Sequence, residues 1–351
     1  MTKENYLEFL KSTIEGTTSK NLKYLKSKMI ESNIVYEGST QLSLDMKDAI
    51  NITELDLKSQ ILTPLLKNEE VIKIIENWEF IKEYKYSVLF ETNNFKNVLN
   101  KLEELNEKVN EGNEFIKEGF GKPSKKDCGN VVLLKFNIAL SGYNQLGEEL
   151  LQKYPFIVVV YKNYGLIEFR FDTIARHYQN ERISYSSFIQ QIRLKFKDIF
   201  AEELIPLELD FLISKSKDNT DDNLKVTSQA MNLSNGSSVQ LDVGDNDEYV
   251  LPFIGELRNL MNEYQKELEN CPKLKDALEE YLFEKEEMSE YPWIELMWED
   301  EIKTRSKRIK IVFKYKKMDY SLIQHYSNNT FCGMERMEYV TKYINENRRS
   351  S

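Results

Sequence analysis

The chain has 351 residues, 41% of them hydrophobic and 30% charged, and its 48 Lys and Arg against 58 Asp and Glu leave a formal net charge of -10. That composition excludes collagen-like, low-complexity and wholly disordered chains, and its length favours two or three domains over one. No apolar run approaches the roughly 18 residues a spanning helix requires, so no membrane association is expected.

Met1–Asn5 lacks the apolar stretch of a signal peptide. Cys128, Cys271 and Cys332 are the only cysteines, and so scattered a set does not read as a disulfide framework. A cytoplasmic protein is therefore expected, and the Lys-, Asn- and Ile-rich composition suggests an AT-rich bacterial genome.

Charge is distributed in blocks. Residues 201–300 hold 8 basic and 25 acidic residues, whereas 122–200 hold 12 and 7, and 301–351 hold 12 and 5. Such asymmetry marks either an interaction surface or faces that offset each other within one fold.

Residues 1–118 read as a helical domain. Tyr6, Leu7, Phe9 and Leu10 begin one helix, which Gly16 interrupts. Leu55 to Leu65 and Ile72 to Ile81 suggest two more, with Pro64 near the end of the first. Asn94 is a plausible N-cap for a helix carrying Phe95, Val98, Leu102, Leu105 and Val109. These alternate spacings of three and four, so residues 95–109 offer a short seam for a homo-oligomer. Residues 119–130 have the Gly, Pro, Ser and charge of a linker.

Residues 131–214 read as βαββαβ, a ferredoxin-like α+β domain. Its elements are a strand over 131–140, a helix around Leu146, Leu150 and Leu151, and a strand over 156–161. A turn at Asn163-Tyr164-Gly165 leads to a strand over 166–171, then a helix through Phe188 to Phe196 and a strand over 207–213. Lys215 to Asn223 is a polar loop. Residues 224–351 form an α+β C-terminal domain. It holds two strands about Asn235-Gly236, a long helix after Pro252, another after Pro272, a hairpin of 293–298 with 309–315, and a helix over 334–344. The fold class is thus α+β: a helical N-terminal domain, a ferredoxin-like middle domain and an α+β C-terminal region.

Lys162-Asn163-Tyr164-Gly165-Leu166-Ile167-Glu168-Phe169 resembles the octamer motif on the third strand of RNA-recognition-motif domains. The resemblance implies an open sheet face where Tyr164 stacks a base, with Lys162 and Arg170 nearby. Asn163 stands where the motif has Gly, Leu166 where it has a second stacking ring, and the first strand offers Leu133, Lys135 and Asn137. The strand over 156–161 is apolar on both faces, which predicts a covered sheet.

A metal-dependent enzyme would draw on Glu168, Glu208 and Asp210 beside Lys135, although a structural ion-pair set accounts for the same residues. Polymerase-type palms need acids where this chain has Lys135 and Asn137. Asp242, Asp245, Asp247 and Glu248 lack EF-hand spacing and suit a helix cap. Only His177 and His325 exist, and His325 with Cys332 is the sole Cys–His pairing near in sequence. No zinc, phosphate-loop, dinucleotide or hydrolase-elbow motif appears, so no cofactor is expected.

Glu295 faces Arg308 and Lys310 across the late hairpin, which predicts cross-strand pairs. Its turn, with Lys303, Arg305, Lys307 and Arg308, is the most concentrated basic tip. The expectation is a binding or scaffold protein that acts through a protein partner. The alternative is a nucleic-acid-binding subunit using 122–200 and 303–317, and the third reading is the carboxylate metal enzyme.

Overall fold

The computed structural model describes residues 3–38, 48–105, 123–143, 146–180, 183–217, 224–244, 251–299, 306–326 and 333–348. The protein is mixed α and β. It divides into two compact units: Met1–Ile205 with Ser327–Lys342, and Pro206–Tyr326 with Tyr343–Ser351.

The first unit begins with α1 (Lys3–Glu15) and α2 (Ser19–Glu31). Tyr6, Leu10 and Ile14 recur every fourth residue and are buried, as are Leu22, Leu25 and Met29. Two short parallel strands, β1 (Val35–Tyr36) and β2 (Ile50–Asn51), precede α3 (Ser59–Lys67) and α4 (Glu70–Ile81). Val71, Ile75 and Trp78 turn one stripe of α4 into the same apolar cluster. Then come β3 (Tyr86–Glu91) and α5 (Phe95–Glu104), whose first turn is capped by Asn94 accepting from the Asn97 amide at 3.2 Å.

The strands β4 (Ser124–Asp127), β5 (Val131–Tyr143), β6 (Glu149–Tyr161) and β7 (Leu166–Phe171) run antiparallel, in the order β3-β7-β6-β5-β4. One face carries Phe136, Phe156, Phe169 and Phe171. It packs against α6 (Tyr185–Phe200), which buries Phe188, Ile192 and Phe196. The two-residue strand β8 (Ile205–Pro206) lies at the boundary between the units.

The second unit contains α7 (Phe211–Lys217), β9 (Leu224–Asn232), β10 (Ser238–Asp242), α8 (Ile254–Glu263), α9 (Gln265–Glu269), α10 (Pro272–Glu286), β11 (Glu290–Trp298), β12 (Lys307–Val312) and β13 (Leu322–Tyr326). Its strands are antiparallel in the order β10-β9-β11-β12-β13. Gly236, at φ +82°, makes the β9–β10 turn that Asn235-Gly236 predicts. Met231, Ile294, Leu296, Ile309, Ile311 and Ile323 are buried on these strands. α11 (Glu335–Asn347) begins in the first unit and ends in the second.

The βαββαβ expectation is corrected at two elements. Residues 149–151 belong to β6, not to a helix, because the hairpin with β5 extends in register to Tyr143↔Glu149. Leu146 and Leu151 are exposed there, so their helix-like spacing serves no buried stripe. Residues 207–213 form no fourth strand: Phe211 opens α7, which also takes Lys215–Lys217 from the expected loop. The expected linker contains β4, whose Lys125 ammonium is buried against the carbonyls of Leu102 and Leu105 at 2.7 and 2.8 Å. In the expected seam, α5 ends at Glu104, and Val98 and Leu102 are buried within the unit. Val109 lies outside the described residues.

Candidate functional site

Strand alternation places Lys135 on β5, Lys153 on β6, and Glu168 and Arg170 on β7 on one sheet face, opposite the phenylalanines. The sequence predicts this face for Lys135, Asn137 and Glu168. Far from being open, it is covered by α1, α4 and the start of α11, and all four charged side chains are 0–1% exposed.

Two separate networks neutralise it. In the first, Glu79 of α4 accepts from Lys153 at 2.7 Å and from Lys135 at 2.9 Å. Glu76 accepts from both lysines and from the Tyr6 hydroxyl. Burial alone would push the Glu79 carboxyl up, but the ammonium groups of Lys135 and Lys153 overcome it and hold the carboxyl down at about 2. Burial likewise opposes the charge on Lys153, and Glu76 and Glu79 reverse that, raising its pKa. These residues tie helix to sheet, and nothing in their geometry admits a substrate.

In the second network, Glu168 Oε2 accepts from Tyr161 at 2.7 Å, Arg170 at 2.8 Å and Thr341 of α11 at 3.1 Å. Arg170 also donates to the Tyr161 hydroxyl at 2.6 Å. Burial opposes the Arg170 charge, but the Glu168 carboxylate holds the guanidinium above its usual range. Burial pushes the Tyr161 hydroxyl far above the ordinary phenol range. Among the described residues, Glu168 Oε1 and Arg170 Nε and Nη1 are buried without a hydrogen bond.

Beside this network opens a cleft of about 420 Å³. The β6–β7 turn and residue Asn130 form one wall, and Glu335, Glu338, Tyr339 and Lys342 of α11 form another. The rings of Tyr161 and Tyr164 stack with centroids 5.5 Å apart at 22°. Gly165, at φ +68°, closes the turn and lets its amide reach the Tyr161 carbonyl at 3.1 Å. Glu338 is half-buried. Burial raises its pKa, Arg170 counters that, and the carboxylates of Glu168 and Glu335 push it up further.

Tyr164 thus lies at this cleft. Lys162 is tied to Asp127 at 2.8 Å, and Arg170 is bonded to Glu168 under the sheet rather than presented to solvent. Glu208 and Asp210 are exposed on the segment between β8 and α7, off any sheet face, and do not share a strand face with Glu168. Among the described residues no group of three or more His, Cys, Asp or Glu side chains is placed to hold a metal ion.

In the second unit, Arg308 donates to Glu295 at 2.6 Å and stacks over Tyr326, and Lys310 lies 3.3 Å from the centre of the Trp293 ring. The predicted cross-strand pairing is thus in register, Glu295 opposite Lys310. Lys307 is half-buried at the start of β12, while Lys303 and Arg305 lie outside the described residues. So do Cys332, Asp245, Asp247 and Glu248. Exposed Lys314, Lys316 and Lys317 adopt left-handed backbone at φ 43°, 50° and 64°.

Helices α8–α10 carry a feature that residue spacing does not announce. α8 buries no residue, α9 buries Leu268, and α10 buries Leu282 and Glu286. Phe253, Leu260, Leu274, Tyr281, Phe283 and Met288 are all more than half exposed. The sequence predicts a long amphipathic helix after Pro252 and another helix after Pro272, without saying what their apolar residues meet. Their ten acidic against five basic residues over 251–289 were a visible sign of an outward-facing element. Among the described residues no helix is long and apolar enough to cross a membrane. No protein-family model matches the chain, and no curated protein matches its sequence.

Proposed function

We propose that this is a binding protein that acts through a protein partner docked on helices α8–α10. The carrying observation is their exposed apolar side chains: Phe253 is 76% exposed and Phe283 is 58% exposed. Six large apolar side chains more than half exposed on one run of helices exceed the scatter of single surface residues, and they mark an interaction site where they share a face, as Leu274 and Tyr281 do two turns apart on α10. The acidic excess around it commits the partner to a basic surface bearing an apolar ridge, and it disfavours self-docking of two acidic faces. Aromatic and aliphatic anchors within a charged rim are the composition of a protein interface centre.

A protein partner is favoured over nucleic acid because Lys162, Arg170 and Arg308 are each engaged by a carboxylate of their own unit. The proposal is tested by identifying the protein that co-purifies with the native chain and titrating it, purified, against the chain. Leu274→Glu/Tyr281→Glu, two exposed positions on one face of α10, should weaken binding by at least about 10-fold while leaving the circular dichroism spectrum unchanged. Equal affinity of the variant and the parent would overturn the assignment of this face.

A further inference from the structure

The cleft between the β6–β7 turn and α11 has a lining that selects for one kind of ligand. At about 420 Å³ it lies in the range of small-molecule sites. Tyr161, Tyr164 and Tyr339 supply aromatic surface. The Tyr161 hydroxyl is consumed beneath the floor by Glu168 and Arg170, which fixes its ring for stacking rather than for hydrogen bonding. The electron-rich faces of such rings attract cations and offer anions nothing.

The charged groups agree. Among the described residues, Glu335 and Glu338 line the cleft with Lys342 as its one cation. Burial and the carboxylates of Glu168 and Glu335 oppose the ionisation of Glu338 while Arg170 favours it, so a cation brought from outside would settle its charge.

We propose that this cleft binds an organic cation, an alkylammonium or guanidinium group seated on the tyrosine faces and paired with Glu335 and Glu338. The cation could belong to a free amine or to a basic side chain of a protein, and the chemistry of recognition is the same. Lys342, one turn beyond Glu338 on the same wall, is the repulsive group among the described lining residues, which limits affinity and disfavours ligands with closely spaced positive charges.

Titration calorimetry of the full chain tests this with tetramethylammonium and spermidine as free cations, and with blocked tripeptides centred on lysine or arginine. At least one of these should bind. Glu338→Gln and Tyr164→Ala should each weaken it about 10-fold or more, Tyr164→Phe should retain it, and Lys342→Met should tighten it. Preference for the free cations or for the tripeptides identifies the source of the cation, and either preference supports the site. No heat and no tyrosine resonance shift with any of the four would overturn the proposal, as would affinity insensitive to both Glu338→Gln and Tyr164→Ala.

Discussion

The ammonium of Lys153, on β6, lies 2.7 Å from the carboxylate of Glu79, on α4, with both side chains wholly buried. With Lys135 and Glu76 this makes a closed set of two cations and two anions between the helical layer and the sheet. Desolvating four charges is unfavourable, so their mutual attraction contributes little net stability, yet loss of one member is severe. The network fixes which helix lies over which strand.

Lys135→Met should therefore destabilise the protein by about 3–5 kcal/mol, because it leaves an uncompensated carboxylate in the interior. Glu79→Met combined with Lys135→Met should cost less than the two single changes together. Denaturant titration of the four proteins measures this directly, and strictly additive losses would show the pair to be uncoupled.

Acid sensitivity should follow from the same site. The folded Glu79 carboxyl sits at about 2 against an ordinary 4.5, a depressed value, so its contribution is complete above 4.5 and disappears as pH falls through about 2. Glu338 acts in the opposite sense, since its raised pKa favours the folded state at low pH. Melting temperature measured from pH 5 to 2 should fall, and Glu79→Gln should flatten that slope. Parallel slopes for the parent and the variant would show that Glu79 does not set the acid limit.

Gly142, on β5, has no room for a side chain: a Cβ there would collide with the His177 carbonyl and the Tyr178 ring. Gly142→Ala should lower stability by about 1–3 kcal/mol through the forced backbone shift, whereas alanine at Gly16, where a Cβ makes only ordinary contacts at 3.7 Å and beyond, should change it by no more than about 0.5 kcal/mol. Thermal melts of both variants distinguish the cases.

Lys316 occupies left-handed backbone on an exposed turn. Lys316→Gly should stabilise by roughly 0.5–1 kcal/mol, since glycine adopts that conformation without a Cβ penalty. A lower melting temperature would mean that the lysine side chain contributes more than its strain.

Much of the secondary structure was legible where one buried stripe dominated. Tyr6, Leu10 and Ile14 on α1, the phenylalanine face of β5–β7 and the Asn163–Gly165 turn all follow from spacing and turn chemistry. Leu146, Leu150 and Leu151 mislead because three leucines at helical intervals say nothing about the β5 partner that holds Leu150 and Leu151 extended, or about the turn that takes Leu146. Tyr86–Glu91 is a six-residue strand whose β-rich run stood between two helical patterns and was passed over. The candidate sites were less legible still. Parity placed Lys135 and Glu168 on the correct face, but their partners, Glu76 and Thr341, lie 59 and 173 residues away in the chain. Spacing does not reveal the exposure of Phe283, because apolar residues on a helix look the same whether they meet their own core or another protein; the acidic excess around it is the sign the sequence carries.

The central claim concerns the exposed apolar side chains of α8–α10. A photo-crosslinking amino acid in place of Tyr281, with Leu194 of α6 as an exposed control position, tests it in the native cell. The account predicts one discrete heterologous adduct at position 281, absent at 194 and lost when Leu274→Glu is added. An adduct of equal yield at both positions, or none at 281, would contradict it.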